Sequence, residues 1–116
     1  MTIERFHTIK RRSEVVVHDK TIYIGGQVAD DVDGDIGAQT SEVLASIDSL
    51  LQQAGSDRKH LLSVRILLAD INDYAGLNEV WDEWVPPGHA PTRACTLQQL
   101  INPKWRLEII AVAARP

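Results

Sequence analysis

The chain has 116 residues, 44% of them hydrophobic and 24% charged, the proportions of an ordinary globular protein with room for one core but not two. Its formal net charge is -4, and no Lys/Arg stripe interleaves with aromatics, which argues against a nucleic-acid surface. No apolar run approaches the roughly 20 residues that cross a bilayer, the stretch Met1 to His7 lacks a signal-peptide core, and the lone Cys95 fits a reducing compartment. The expectation is one cytoplasmic domain over residues 1–116, with no membrane partner.

In chain order, residues Ile3 to Ile9 alternate loosely and predict a first strand. Val15 to His18 and Thr21 to Ile24 are β-rich runs joined by Asp19-Lys20, the pattern of a hairpin. Gly25-Gly26 ends the second run, where paired glycines point to a bulge or a close approach of backbone. An acidic loop, Asp30 to Gly37, leads into a helix predicted over Ala38 to Ala54. There Val43, Leu44, Ile47, Leu50, Leu51 and Ala54 make one apolar stripe, and Gly55 sits at the C-terminal cap. Leu61 to Ala69 is short and evenly apolar, so it reads as a buried central strand.

Asp70 or Asn72 is expected to cap a second helix with the stripe Tyr74, Leu77, Trp81, Trp84 and Val85, stopped by Pro86-Pro87. Strands over Thr92 to Leu97 and Trp105 to Ala114 finish the chain. The order β-β-β-α-β-α-β-β predicts an α+β fold, a mixed sheet with two helices on one face. The last strand is apolar on both sides: Leu107, Ile109, Ala111 and Ala113 on one, Ile110, Val112 and Ala114 on the other. Only one side can lie under the helices, so the other predicts burial against a copy of the chain.

Chemistry concentrates in two strands. Arg93 offers a permanent charge and a planar fork that matches a carboxylate; its structural alternative is an ion pair at a sheet end or an oligomer contact. Glu108 is the single acid of the last strand, and a carboxylate beside apolar surface can hold or release a proton near neutrality. Its structural alternative is a salt bridge with Arg65, Arg93 or Arg106. Cys95 shares a strand face with Arg93 and reads as pocket lining rather than a nucleophile. The acids from Asp31 to Glu42 superficially match a calcium loop, but Ile36 stands where the turn requires glycine. The four histidines share no metal-ligand spacing, and no phosphate-loop or dinucleotide fingerprint is present. No metal and no cofactor are expected.

Several segments together resemble the RidA/YjgF family, also called L-PSP, and within it a divergent branch of short bacterial members. They are Ile24-Gly25-Gly26-Gln27-Val28, Gly34-Asp35-Ile36 with Gln39-Thr40, Leu67 to Tyr74, Asn78, Ala90-Pro91-Thr92-Arg93-Ala94-Cys95 and Leu107 to Ala113. The resemblance implies a chorismate-mutase-like fold and a homotrimer around a central β-barrel, with sites between subunits. It also implies hydrolytic deamination of 2-imino and 2-enamino acids, such as 2-aminoacrylate, to 2-oxo acids and ammonia without a cofactor. Arg93 would then grip the substrate carboxylate and Glu108 activate water. Cys95 would line the pocket, and backbone near Gly25 and Gly26 would contact substrate. The family's pocket tyrosine, in a Gly-Pro-Tyr segment, has no counterpart in Lys10 to Val15, and Gly25 replaces a serine. Arg12, near the cleft, would favour a second carboxylate or face solvent. The alternative is a non-catalytic binder of small carboxylates or of a partner protein. A ribonuclease activity is a third reading, opposed by the acidic charge.

Overall fold

A computed structural model describes residues 2–116. Its strands are β1 (Ile3–Phe6), β2 (Val15–His18), β3 (Thr21–Gln27), β4 (Leu61–Leu68), β5 (Thr92–Leu97) and β6 (Leu107–Ala114), and its helices α1 (Ile36–Gln53) and α2 (Tyr74–Trp84). The strands form one sheet in the order β1-β2-β3-β6-β4-β5. The last strand in sequence is thus inserted between β3 and β4, antiparallel to both. β4 and β5 pair in parallel, which requires a crossover, and α2 supplies it. No helix among the described residues is long and apolar enough to cross a membrane.

Local chemistry sets the ends of these elements. β1 stops at Phe6 rather than Ile9 because His7 turns the chain with a φ of 53°. The β2–β3 hairpin closes through Asp19, whose φ is 54°, and β3 runs three residues further than the hairpin pattern predicts. α1 begins two residues before Ala38, because the Asp35 carboxylate accepts the Ala38 amide at 2.8 Å and caps the helix there. At its other end Gly55 takes a φ of 83°, its N–H donating to Gln52 O at 3.1 Å and that of Ser56 to Leu51 O at 2.9 Å, a Schellman closure. Asp70 caps a 3-10 turn, Ile71–Asp73, by accepting the Asn72 amide at 2.9 Å. The second helix itself starts only at Tyr74, without a side-chain cap. Val85, held extended before Pro86, ends it.

In the acidic loop the Glu42 carboxylate reaches back to accept from the backbone amides of Asp30 and Asp31. Gln39, fully buried, donates to Val32 O, Gly34 O and Lys104 O and accepts the Arg106 amide at 2.9 Å. That one amide therefore joins the loop, α1 and the approach to β6.

The two sheet faces differ. Val15, Val17, Ile22, Ile24, Val64, Ile66, Leu68, Leu107, Ile109, Ala111 and Ala113 are buried in one core with Val43, Leu44, Ile47, Leu51, Leu77 and Trp81 of the helices. Each large side chain so buried contributes about 1.5–3 kcal/mol. On the opposite face Tyr23 and Leu62 are half exposed, and Val16, Ile110 and Val112 are only partly covered. β6 is apolar on both sides as its pattern predicts, and this chain covers one of them.

Candidate functional site

Tyr74, Asn78 and Trp81 follow one another at steps of four and three residues, so they share a face of α2. β5, the edge strand beside it, points Arg93 and Cys95 at that face, since Arg93 pairs in register with buried Val64 and Cys95 with buried Ile66. Arg93 Nη2 donates to Asn78 Oδ1 at 2.6 Å and lies 3.5 Å from the Tyr74 hydroxyl. Its guanidinium carbon stands 5.2 Å from the Trp81 ring centroid and 5.9 Å from that of Tyr74, within cation–π range. Arg93 is half-buried, and none of the ion pairs among the described residues includes it. Its charge is held in place by neutral groups alone. Among the described residues, the side-chain hydrogen bonds of Arg93 use Nη2 only, so Nε and Nη1 remain to receive an anion. Burial pushes the Cys95 thiol up, against the opposite pull of the Arg93 charge.

Glu108 lies elsewhere. On β6 it alternates with Leu107 and Ile109, both fully buried against the helices, so its carboxylate stands on the open face. In β3 the register passes from Ile24↔Ala111 to Gln27↔Ile109, leaving Gly25 and Gly26 opposite the single residue Ile110. This is a β-bulge. Its second glycine makes room for the acid: a Cβ on Gly26 would stand 2.8 Å from Glu108 Cδ and overlap the carboxylate. The expected bulge and the expected close approach are thus the same feature. Glu108 has no ion pair with Arg65, Arg93 or Arg106 among the described residues, and Arg106 instead bonds Asp73 at 3.0 Å.

The structure therefore brings the sequence-selected residues together in two groups, not one. Arg93 and Cys95 meet on the helix face, Gly26 and Glu108 on the other, with β4 between the two strands. Within one chain Arg93 and Glu108 do not share a pocket. Gly25 donates its N–H to Glu14 O at 2.9 Å, an in-chain bond that fixes the bulge to β2's approach. Arg12 lines a cleft of about 330 Å³ with Glu14, Gly26, Gln27 and residues of α1, and its Nε donates to Glu14 Oε1 at 3.2 Å. Its charge is thus already paired, and its side chain is largely exposed. No three of the described His, Cys, Asp and Glu residues group as metal ligands.

Sequence reasoning assigned Tyr74 and Trp81 to an apolar stripe and gave Asn78 no role. Their 4/3 spacing, with one amide between two aromatic rings, was the available signal that this face receives a cation. Trp84, the stripe's next member, receives another: Arg58 stacks 4.7 Å above it while its indole N–H donates to Asp48.

A mixed sheet roofed by two helices, with a guanidinium that no carboxylate among the described residues neutralises on the helix face, defines an α+β fold. The chain belongs to the family described as Endoribonuclease L-PSP, the RidA/YjgF group, whose family model matches residues 2–115. It is 47% identical to the RutC family protein YoaB of Escherichia coli, over 98% of this chain and 99% of that one. The crystal structure of NMB1025, a YjgF family member from Neisseria meningitidis, superposes with a TM-score of 0.95 at 43% identity, covering 100% of this chain and 97% of that one. The human 2-iminobutanoate/2-iminopropanoate deaminase is 33% identical over 87% of this chain and 77% of its own length.

Proposed function

We propose that this protein is a cofactor-free hydrolytic deaminase of reactive 2-imino and 2-enamino acids, 2-aminoacrylate among them. In this reading it works as a homotrimer whose sites are shared between copies. The observation that carries it is Arg93, a half-buried cation braced by Asn78, Tyr74 and Trp81 with no carboxylate partner of its own among the described residues. Relatives named as imine deaminases add support at family level.

The chemistry asks for little. An enamine first tautomerises to the imine, and the protonated C=N carbon then accepts water. Arg93 holds the substrate carboxylate through the N–H groups that Asn78 leaves free, fixing the electrophilic carbon. Glu108 of a neighbouring copy accepts a hydrogen bond from the water and takes its proton as the C–O bond forms. The same proton is returned to nitrogen; Glu108 then takes the hydroxyl proton as the C=O bond forms and the C–N bond breaks, and ammonia leaves with the 2-oxo acid. The glycine bulge serves this step by leaving the Glu108 carboxylate unobstructed on its strand. The test is a coupled assay in which an imine is generated in place and 2-oxo acid release is followed. Wild type accelerates release and Arg93→Ala does not. No acceleration over several imino acids would remove the reading.

A second reading is favoured by two observations: a single chain presents the anchor on one face and the acid on the other, and Arg12, in the region where the family's tyrosine is expected, is paired with Glu14. A non-catalytic binder of small carboxylates, or of a partner protein, would need only the anchor. It predicts saturable 2-oxo acid binding, lost in Arg93→Ala, without turnover. The ribonuclease of the family's description fits less well, since the chain's net charge is -4 and Arg93 stands alone rather than in a row that would track phosphates.

A further inference from the structure

Gln27 lines the cleft of about 330 Å³ beside Arg12 and Glu14. The inward positions of β3 before it are Ile22 and Ile24, and the bulge shifts the alternation so that Gln27, rather than Gly26, points to the core. Only 9% of it is exposed. A buried amide costs free energy unless it is hydrogen-bonded, and Nε2 of Gln27 donates twice, to Glu14 Oε2 at 2.7 Å and to the carbonyl of Gly25 at 3.1 Å. Glu14 is itself held from outside, its Oε1 accepting from Arg12 Nε at 3.2 Å. Its backbone oxygen accepts the Gly25 N–H at 2.9 Å.

These bonds grip Gly25 at both of its backbone groups. Two glycines in succession are otherwise the most permissive stretch a chain can carry, free to turn over at little steric cost. The peptide between Gly25 and Gly26 is planar, so holding the Gly25 carbonyl also sets the direction of the Gly26 amide. Gly26 is the residue that Glu108 lies against, close enough that a Cβ there would stand 2.8 Å from Glu108 Cδ. A peptide turned over at this point would change the space left for the carboxylate. None of the ion pairs among the described residues includes Glu108, which leaves that backbone contact to aim it.

We propose that Gln27, braced by Glu14, is the positioning residue of Glu108: it locks the Gly25-Gly26 bulge in the orientation that aims the carboxylate. The inference rests on the reading of Glu108 as the group that activates water. The coupled imine assay and amide hydrogen exchange test it on Gln27→Leu, which keeps the bulk and loses the donor, on Glu14→Ala, and on Glu14→Gln, which keeps an acceptor oxygen. Gln27→Leu should lower kcat about tenfold or more and Glu14→Ala about fivefold, as a misaimed catalytic group does. Glu14→Gln should recover most of that loss. Exchange at Gly25 and Gly26 should speed up about tenfold in Gln27→Leu and Glu14→Ala, while the core amides of Leu44 and Ile66 keep their wild-type rates. Faster exchange at the bulge with kcat unchanged, or no change in either, overturns the positioning role alone. So does a kcat that falls only where the core amides also exchange faster, the mark of a residue that serves the fold and nothing more. Absence of acceleration by wild type overturns the reading of Glu108 and this role together.

Discussion

Arg93 and Glu108 show what a single position reveals in advance. Their residue types announced themselves: a fork-shaped cation after Ala90-Pro91-Thr92 and one acid in an apolar strand. What sequence parity does not tell is which face of a strand meets the helices. β6 is apolar on both sides, so the period of two is satisfied with Glu108 on either one. The register of β6 between β3 and β4, a property of the whole sheet, decides it. Gly26 offers a direct check, because an alanine there collides with the movable end of Glu108 rather than with backbone. Gly26→Ala should fold with wild-type stability, while kcat in the imine assay drops at least tenfold. At Cys95, burial raises the thiol pKa and Arg93 lowers it. Iodoacetamide alkylation should therefore rise with pH later than for an exposed thiol. Arg93→Ala should move that profile further up, by removing the charge that favours the thiolate.

At the scale of the element, helix periodicity carried most of the fold. The stripe from Val43 to Ala54 and the stop at Pro86-Pro87 are where the chain pattern puts them. The ends shifted wherever a side chain closed them, as Asp35 does for α1, since a cap depends on rotamer and loop rather than on period. Gln39 and Thr40 sit side by side in α1, both fully buried, yet their situations are opposite. Gln39 spends its amide on four backbone partners, whereas Thr40 Oγ1 has none among the described residues. Gln39→Leu should cost about 1–3 kcal/mol or more, because buried backbone groups lose their partner. Thr40→Val should be neutral or stabilising, and chemical denaturation of the two variants measures the contrast. β1 is fastened differently, through Arg115, which donates to Glu4 at 2.6 Å and to Ala54 O at 2.8 Å. The hydrogen bond from Arg115 holds the Glu4 carboxyl below its usual range. A group depressed in the folded state binds fewer protons there than in the unfolded chain, so its contribution is present above the ordinary carboxylate pKa. It disappears as pH falls through the folded value. Thermal melts should lose stability over that acid range, and Glu4→Gln should make that limb shallower.

For the whole molecule, the half-covered sheet is the main fact. Tyr23, Leu62, Ile110 and Val112 leave an apolar face without a roof, with Glu108 set into it. Arg93 looks the other way. In the proposed function, Arg93 of one copy and Glu108 of another would meet, an arrangement that a ring of identical copies would supply by symmetry. The unsatisfied face was legible in the alternation of β6, and the placement of Arg93 and Glu108 on opposite faces was not, because it arises from sheet order. Complementation between inactive variants tests the shared site most directly. Arg93→Ala and Glu108→Gln, each inactive alone, are mixed in equal amounts, dissociated and reassembled. If each site takes Arg93 from one copy and Glu108 from the next, random reassembly restores about a quarter of the wild-type rate. A mixture that associates normally yet recovers no activity would contradict a site shared between chains.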